Sequence, residues 1–355
     1  MPVHHPAPAG AAAGVKVLVT GGAGFVGAHI VERLAADGAE VRVLDRVVPP
    51  DTGAAAECIT GDITDHHVVD AAVDGVDAVC HQAARVGLGV DFGDAPGYVR
   101  DNDMGTATLL RAMFAASFRG RIVLASSMVV YGEGRYRCVR HGVVAPGPRR
   151  IEDLEAGRFD PPCPACGEAL SPDTVGEDAP LDPRNVYAAT KVHQEHLCAS
   201  FARETGNTAV ALRYHNVYGV GMPQDTPYAG VASIFCSALR RGEAPEVFED
   251  GGQLRDFVHV ADVARANAMA LGAPADVSGG FNVASGRRRS VLDMADALAS
   301  AFGPAAPRPV VTGAYRLGDV RHVVASPERA RDVLGFTAAI EFEEGMAQLA
   351  AVARP

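Results

Sequence analysis

The chain has no tryptophan, aromatic residues make up only 6% of its 355 positions, and lysine occurs twice, at Lys16 and Lys191. Arginine carries nearly all the positive charge, which makes the location of either lysine informative. Positive charge is also in deficit: 32 Lys and Arg against 43 Asp and Glu leave a net charge of −11. Such a surface repels phosphate backbones, so nucleic acid is not an expected partner. No stretch approaches the roughly 18 uncharged apolar residues of a membrane span. The opening MPVHHPAPAGAAAG has neither the basic start nor the apolar run of a signal peptide. A cytoplasmic protein with a disordered leader over residues 1–14 is the expectation. Seven cysteines, an odd number on a long chain, do not form the framework of a small secreted domain. Hydrophobic residues at 48% are enough to build one large domain or two smaller ones.

Apolar runs rich in β-branched residues recur as VKVLVT (15–20), EVRVLD (40–45), DAVCHQAA (77–84), RIVLASS (121–127) and TAVALRYHNVYG (208–219). Segments with helical periodicity separate them. The alternation predicts an α/β fold, a doubly wound parallel sheet with helices on both faces. It stops from Glu133 to Pro180, a stretch rich in Gly, Pro and charge that reads as an insertion. Residues 15–132 and 181–215, with about 258–285, are assigned to the sheet domain. Residues 133–180 form the insertion, and 216–257 with 286–355 form a smaller lobe over the carboxyl edge of the sheet, where open α/β sheets bind ligands.

The first run enters GGAGFVG and then a helix, giving Gly21, Gly24 and Gly27 at a strand-to-helix turn. Glycine there permits a tight turn and lets a pyrophosphate approach the positive helix N-terminus. Asp45 ends the second run, where a carboxylate accepts hydrogen bonds from a ribose 2′-hydroxyl and repels a 2′-phosphate. NAD is favoured over NADP, with Arg46 beside it pulling the other way. Asp62, in ITGDIT, reads either as an adenine contact or as a turn residue.

Tyr187 and Lys191 stand four residues apart, on one face of a helix. Lowering a tyrosine from its usual value of about 10 to near neutrality takes on the order of 4 kcal/mol, which a lysine cation beside an oxidised nicotinamide supplies. Ser127, ending RIVLASS, offers a third hydrogen-bonding group.

Within the insertion, Cys138-x-x-His141 and Cys163-x-x-Cys166 form two close pairs. A structural zinc ion with these four ligands is the first reading, with a disulfide or free thiols as alternatives. His193 and His196, three apart on the Tyr187 helix, lack a third ligand and read as solvated or packed. Cys58, Cys80, Cys198 and Cys236 read as small core residues.

Together GGAGFVG, Asp45, HQAA (81–84), ASSMVVYG (125–132), YAATK (187–191), LRYHNVYG (212–219) and RDFVHVADV (255–263) resemble the extended short-chain dehydrogenase/reductase family, specifically its nucleotide-sugar epimerases and dehydratases. The resemblance spans the chain after residue 14. It implies a Rossmann domain holding NAD through Gly21, Gly24, Phe25, Val26, Gly27, Asp45, Asp62, Ile63, Ala83, Ala84, Tyr187 and Lys191. It implies catalysis by Ser127, Tyr187 and Lys191, and substrate binding by Ser127, Asn216, Arg255 and Arg316. His215 departs from the usual LRYFNVYG. Family members that dehydrate or decarboxylate their sugar carry acidic groups just after the catalytic hydroxyl. Met128 and Val129 occupy those places here and cannot exchange protons.

What remains is epimerisation of a nucleotide sugar, usually at C4, and the family resemblance implies a homodimer formed through the Tyr187 helix and its neighbour. The insertion is similar to that of dTDP-L-rhamnose 4-epimerases (6-deoxy-L-talose-forming). A 4-ketoreductase, a UDP-hexose 4-epimerase and an NAD-sensing module without catalysis are the alternatives.

Overall fold

The computed structural model describes residues 14–47, 56–87, 91–224 and 230–353, so all of the 1–14 leader except Gly14 lies outside the described residues. Strands β1 (Lys16–Thr20), β2 (Glu40–Asp45), β3 (Ala56–Thr60), β4 (Ala78–His81) and β5 (Arg121–Ser127) belong to one seven-stranded sheet. The insertion supplies β6 (Arg135–Cys138), β7 (Gly142–Val144) and β8 (Ser171–Val175). There follow β9 (Thr208–Tyr214), β10 (Asn216–Tyr218), β11 (Glu246–Val247), β12 (Leu254–His259), β13 (Gly279–Val283), β14 (Arg288–Ser290), β15 (Val310–Val311) and β16 (Val324–Ala325).

The large sheet runs β13-β9-β5-β4-β1-β2-β3 with every pairing parallel. Its inner strands are apolar on both faces because both are covered. Along β1, Leu18 faces Leu109, Val79 and Ile122, while Val17 and Val19 face Ile30, Leu34 and Val43. Each such side chain contributes about 1.5–3 kcal/mol by leaving water. The helices are α1 (Phe25–Ala36), α2 (His66–Val73), α3 (Ala95–Tyr98), α4 (Gly105–Ala115), α5 (Ile151–Glu155), α6 (Val186–Thr205), α7 (Val231–Arg240), α8 (Val260–Leu271), α9 (Val291–Phe302), α10 (Glu328–Leu334) and α11 (Phe342–Ala353). A π-helical turn over Val99–Met104 leads into α4. Helix α6 starts where the Asn185 side chain accepts the Ala188 N–H at 2.9 Å and stops at Gly206, whose φ of 73° suits glycine.

The run 208–219, expected as one strand, breaks at His215. Strand β9 stays in the large sheet, whereas β10 pairs with β12 in a three-stranded sheet of the smaller lobe. That lobe has its own core of Phe235, Met294, Leu298, Phe342 and Leu349 from α7, α9 and α11. The insertion, which interrupts the strand and helix alternation, forms the sheet β16-β8-β6-β7 with a strand from near the end of the chain. The pairing restores order that its own few apolar residues do not provide. Cys58, expected in the core, is exposed because β3 lies at the sheet edge; Cys80, Cys198 and Cys236 are buried. No helix among the described residues is long and apolar enough to cross a membrane.

Candidate active site

A cavity of about 760 Å³ opens where the strand order reverses beside β1, between the carboxyl edge of the large sheet and the smaller lobe. Gly21, Gly24, Phe25, Val26, Gly27, Asp45, Ile63, Ala83, Ala84, Ser127, Tyr187, Lys191 and Asn216 all line it. A methyl group added at Gly27 would lie 2.0 Å from the Gly21 carbonyl oxygen, and one at Gly21 would meet the Ala83 nitrogen at 2.7 Å. Only glycine fits either place. Gly24 caps α1 without a side chain, so the first-turn N–H groups of the helix are left for a ligand. These features fit a dinucleotide pyrophosphate.

Asp45 accepts the Ala23 N–H at 2.9 Å and the Val47 N–H at 3.2 Å, which fixes its carboxylate at the cavity edge. Asp62 does not line the cavity. Its carboxylate accepts from the Thr64 N–H at 2.9 Å and from the Arg46 and Arg100 guanidinium groups, the last two at 3.1 Å. The turn role is the one seen.

Ser127 ends β5, and Tyr187 and Lys191 face it from α6. Lys191 is almost wholly buried, donates to the Ala125 carbonyl at 2.8 Å, and has its Nζ 5.8 Å from the centre of the Tyr187 ring. Burial pulls the ammonium down to about 8, while the nearby Cys198, Glu195 and Asp103 act to raise it. Burial pushes the Tyr187 phenol up to about 12, opposed by a hydrogen bond with Ser127. The expected lowering of Tyr187 is therefore not a property of the protein groups alone. The cation stands beside the phenol, but burial sets the direction of the shift.

On the smaller-lobe side the cavity is bounded by Asn216, Val217, Tyr218, Phe257 and Met294. The Asn216 Oδ1 is buried and has no partner. Arg255 and Arg316 are not brought to this wall. Arg255 is buried and donates to the carbonyls of Leu254, Arg321 and Val320 at 2.9, 2.8 and 2.7 Å. Arg316 lies exposed in the loop before Asp319. His215, the departure from the family pattern, is buried and held down to about 4 by that burial, so it is neutral. Met128 and Val129 pack against Val175 and Val323.

Away from the cavity, Cys138, His141, Cys163 and Cys166 converge, their ligand atoms all within 4.8 Å of one another. His193 instead lies 3.2 Å from the Asp103 carboxylate, and neither it nor His196 joins a metal-binding group among the described residues.

Residues 17–284 match the model of the NAD dependent epimerase/dehydratase family. The chain belongs to that family. It is 34% identical over 348 residues to the dTDP-L-rhamnose 4-epimerase of Burkholderia thailandensis, an alignment covering 95% of this chain and 94% of the relative. Among solved structures it is similar to MoeE5 in complex with UDP-glucuronic acid and NAD, at 32% identity and a TM-score of 0.75, covering 94% of this chain and 97% of that one. The Thermus thermophilus UDP-glucose 4-epimerase in complex with NAD is 30% identical, with a TM-score of 0.74 and coverage of 96% and 99%. As an epimerase-family chain the protein is an NAD-dependent enzyme.

Sequence reasoning missed Arg85 and Asp101, which line the same cavity. Arg85 directly follows HQAA, which marks its position; Asp101 stands just before the helical run that starts at Asn102 and belongs to no motif. It also missed Asn102, wholly buried in the π-helical turn, whose side chain accepts the Arg85 N–H at 2.7 Å and donates to Thr190 at 2.9 Å. Asn102 thereby ties the loop after β4 to α6.

Proposed function

We propose that this family member epimerises a nucleotide-activated hexose at C4, with a dTDP-6-deoxyhexose of the dTDP-L-rhamnose/dTDP-6-deoxy-L-talose pair as substrate. The observation that carries the reading is a single cavity lined by the glycine turn, by Ser127, Tyr187 and Lys191, and by Asn216 of the smaller lobe. Bound NAD supplies the hydride acceptor and, once reduced, the donor. As the phenolate, Tyr187 takes the proton of the C4 hydroxyl and later returns it, with Ser127 holding the same oxygen and Lys191 keeping positive charge beside the phenolate. Asn216 offers its side-chain amide to the substrate, whose diphosphate lies between the two lobes. Reaching it would require the loop of Arg316 to close and Arg255 to release its carbonyl partners. Met128 and Val129, packed beside Ser127, give no acid or base for losing water from C5 and C6, which favours epimerisation over dehydration. The choice of a dTDP-6-deoxy sugar rests on the likeness to the Burkholderia enzyme.

On this reading the insertion holds one structural zinc ion, and the protein works in the cytoplasm as a homodimer. Exposed Val99, Met104 and Phe114, on the segment that packs beside α6, provide apolar surface for a second copy. The test is to incubate the purified protein with dTDP, UDP and GDP sugars and no added nicotinamide. The expected result is an epimer from the dTDP-6-deoxyhexose with no absorbance change from NADH. Product from a UDP-hexose alone would correct the substrate, and a requirement for NADH or NADPH in amounts equal to product would replace epimerase by ketoreductase.

A further inference from the structure

Zinc in a tetrahedral site has arms of about 2.3 Å to sulfur and about 2.0 Å to nitrogen, so two sulfurs stand about 3.8 Å apart and a sulfur and a nitrogen about 3.5 Å. The Sγ atoms of Cys138 and Cys166 are 3.7 Å apart, and the His141 Nδ1 lies 3.5 Å from the Sγ atoms of both Cys138 and Cys163. These match three of the six edges of such a tetrahedron, and all four ligand atoms lie within 4.8 Å of one another. They are far from the sulfur separation of about 2.05 Å in a disulfide. The knuckle is preformed: the Gly167 N–H donates to the Cys163 carbonyl at 2.8 Å, and Gly167 has a φ of 75°.

Two of the four ligands stand next to groups that grip the smaller lobe. Tyr136, two residues before Cys138 and buried, accepts the His322 N–H at 3.2 Å. Asp160, three residues before Cys163, accepts from the Arg321 Nε at 2.8 Å and lies 3.0 Å from the His322 Nε2. His322 accepts the Leu254 N–H of β12 at 3.0 Å, and the Arg321 carbonyl accepts from Arg255 on the same strand at 2.8 Å. Phe257, further along β12, lines the cavity. The segment between Gly132 and Thr174 adds no residue to any of the apolar core clusters. Its order therefore rests on the strand pairing that reaches β16 through β8 and on cross-links.

We infer that zinc in the Cys138–His141–Cys163–Cys166 site braces the substrate lobe, holding Tyr136 and Asp160 against Arg321 and His322 and so fixing β12 at the cavity wall. The inference rests on the zinc reading of the insertion. Removing the ion loosens the wall that meets the nucleotide sugar and leaves the glycine turn of the cofactor side unchanged.

The experiment compares wild type, Cys166→Ser and Asp160→Ala. It measures zinc content, dTDP and UDP binding by calorimetry, retained NAD, and amide exchange over 319–325 and 21–27. Wild type should carry one zinc per chain. Cys166→Ser should lose it, keep NAD, and bind the nucleoside diphosphate at least fivefold more weakly, with faster exchange over 319–325 only. Asp160→Ala, whose carboxylate is not a ligand, should keep the zinc and show the same weakening. Wild-type protein prepared without chelator and free of zinc would end the zinc reading itself. Zinc present, with Asp160→Ala binding within twofold of wild type and 319–325 still protected, would overturn the brace and leave the zinc reading standing.

Discussion

The Arg46 guanidinium donates to the Asp101 carboxylate at 2.8 Å, and its Nη2 lies 2.9 Å from Asp62. Those contacts, the Asp101 hydrogen bond foremost, push Arg46 above its ordinary range. An arginine beside the ribose site is ordinarily a handle for the 2′-phosphate of NADP; here two carboxylates occupy it. NAD should therefore be retained in preference to NADP, and Asp45→Ser alone should weaken NAD about tenfold, the worth of a charged hydrogen bond, without conferring tight NADP binding. Adding Asp101→Asn should raise NADP affinity further by releasing Arg46. Cofactor titration by fluorescence reads both, and equal NADP affinity in the single and double variants would show that Arg46 is not held in check by Asp101.

The methyl of Gly27→Ala cannot fit 2.0 Å from the Gly21 carbonyl oxygen. The turn must open, and co-purifying NAD should be lost. Protein that retains a full complement of NAD after this substitution would disprove the assignment of the pyrophosphate site.

Lys191 provides a pH signature. Its folded value of about 8 lies below the ordinary 10.5, so the buried cation costs stability at neutral pH. The cost falls as pH rises through 8 and is gone above 10.5, where the unfolded lysine has also lost its proton. A displacement of this size corresponds to about 3 kcal/mol. Lys191→Met should abolish turnover, yet its thermal midpoint at pH 7 should equal or exceed that of wild type. Wild-type kcat should fall above about pH 8, as the ammonium is lost. A flat rate from pH 7 to 10 would contradict the need for the cation.

Glu195 on α6 receives two donations from Arg213 on β9, at 3.0 and 2.8 Å, and also accepts from Ser126. Both charges are nearly buried. Removing one partner strands the other, so Glu195→Ala or Arg213→Met should each cost about 3–5 kcal/mol. The double substitution should cost less than the two single ones added together. Denaturant unfolding measures this, and simple additivity would mean that the pair is not coupled.

The parts read correctly in the sequence are local. VKVLVT followed by GGAGFVG specifies a strand, a turn only glycine can make, and a helix, all within neighbouring residues. The spacing of Tyr187 and Lys191 likewise needs only the helix pitch. What escaped depends on partners far along the chain. Nothing near His215 signals that β9 will end there and β10 join β12. The order of the insertion comes from β16, nearly 150 residues beyond β8, along the chain. Arg255 matched its motif, but only the folded structure shows its guanidinium bound by the carbonyls of Val320 and Arg321. Cys58 belongs to a strand whose edge position the sequence does not reveal.

The central claim is a hydride removed from C4 and returned to the same carbon. It is tested most directly by giving the protein the nucleotide sugar carrying deuterium at C4, in ordinary water and without added cofactor, and reading the product by NMR. The account predicts the C4 epimer with deuterium still at C4, and no deuterium on carbon when unlabelled sugar reacts in deuterium oxide. Loss of the C4 label, or solvent deuterium at C5 or C6, would contradict it.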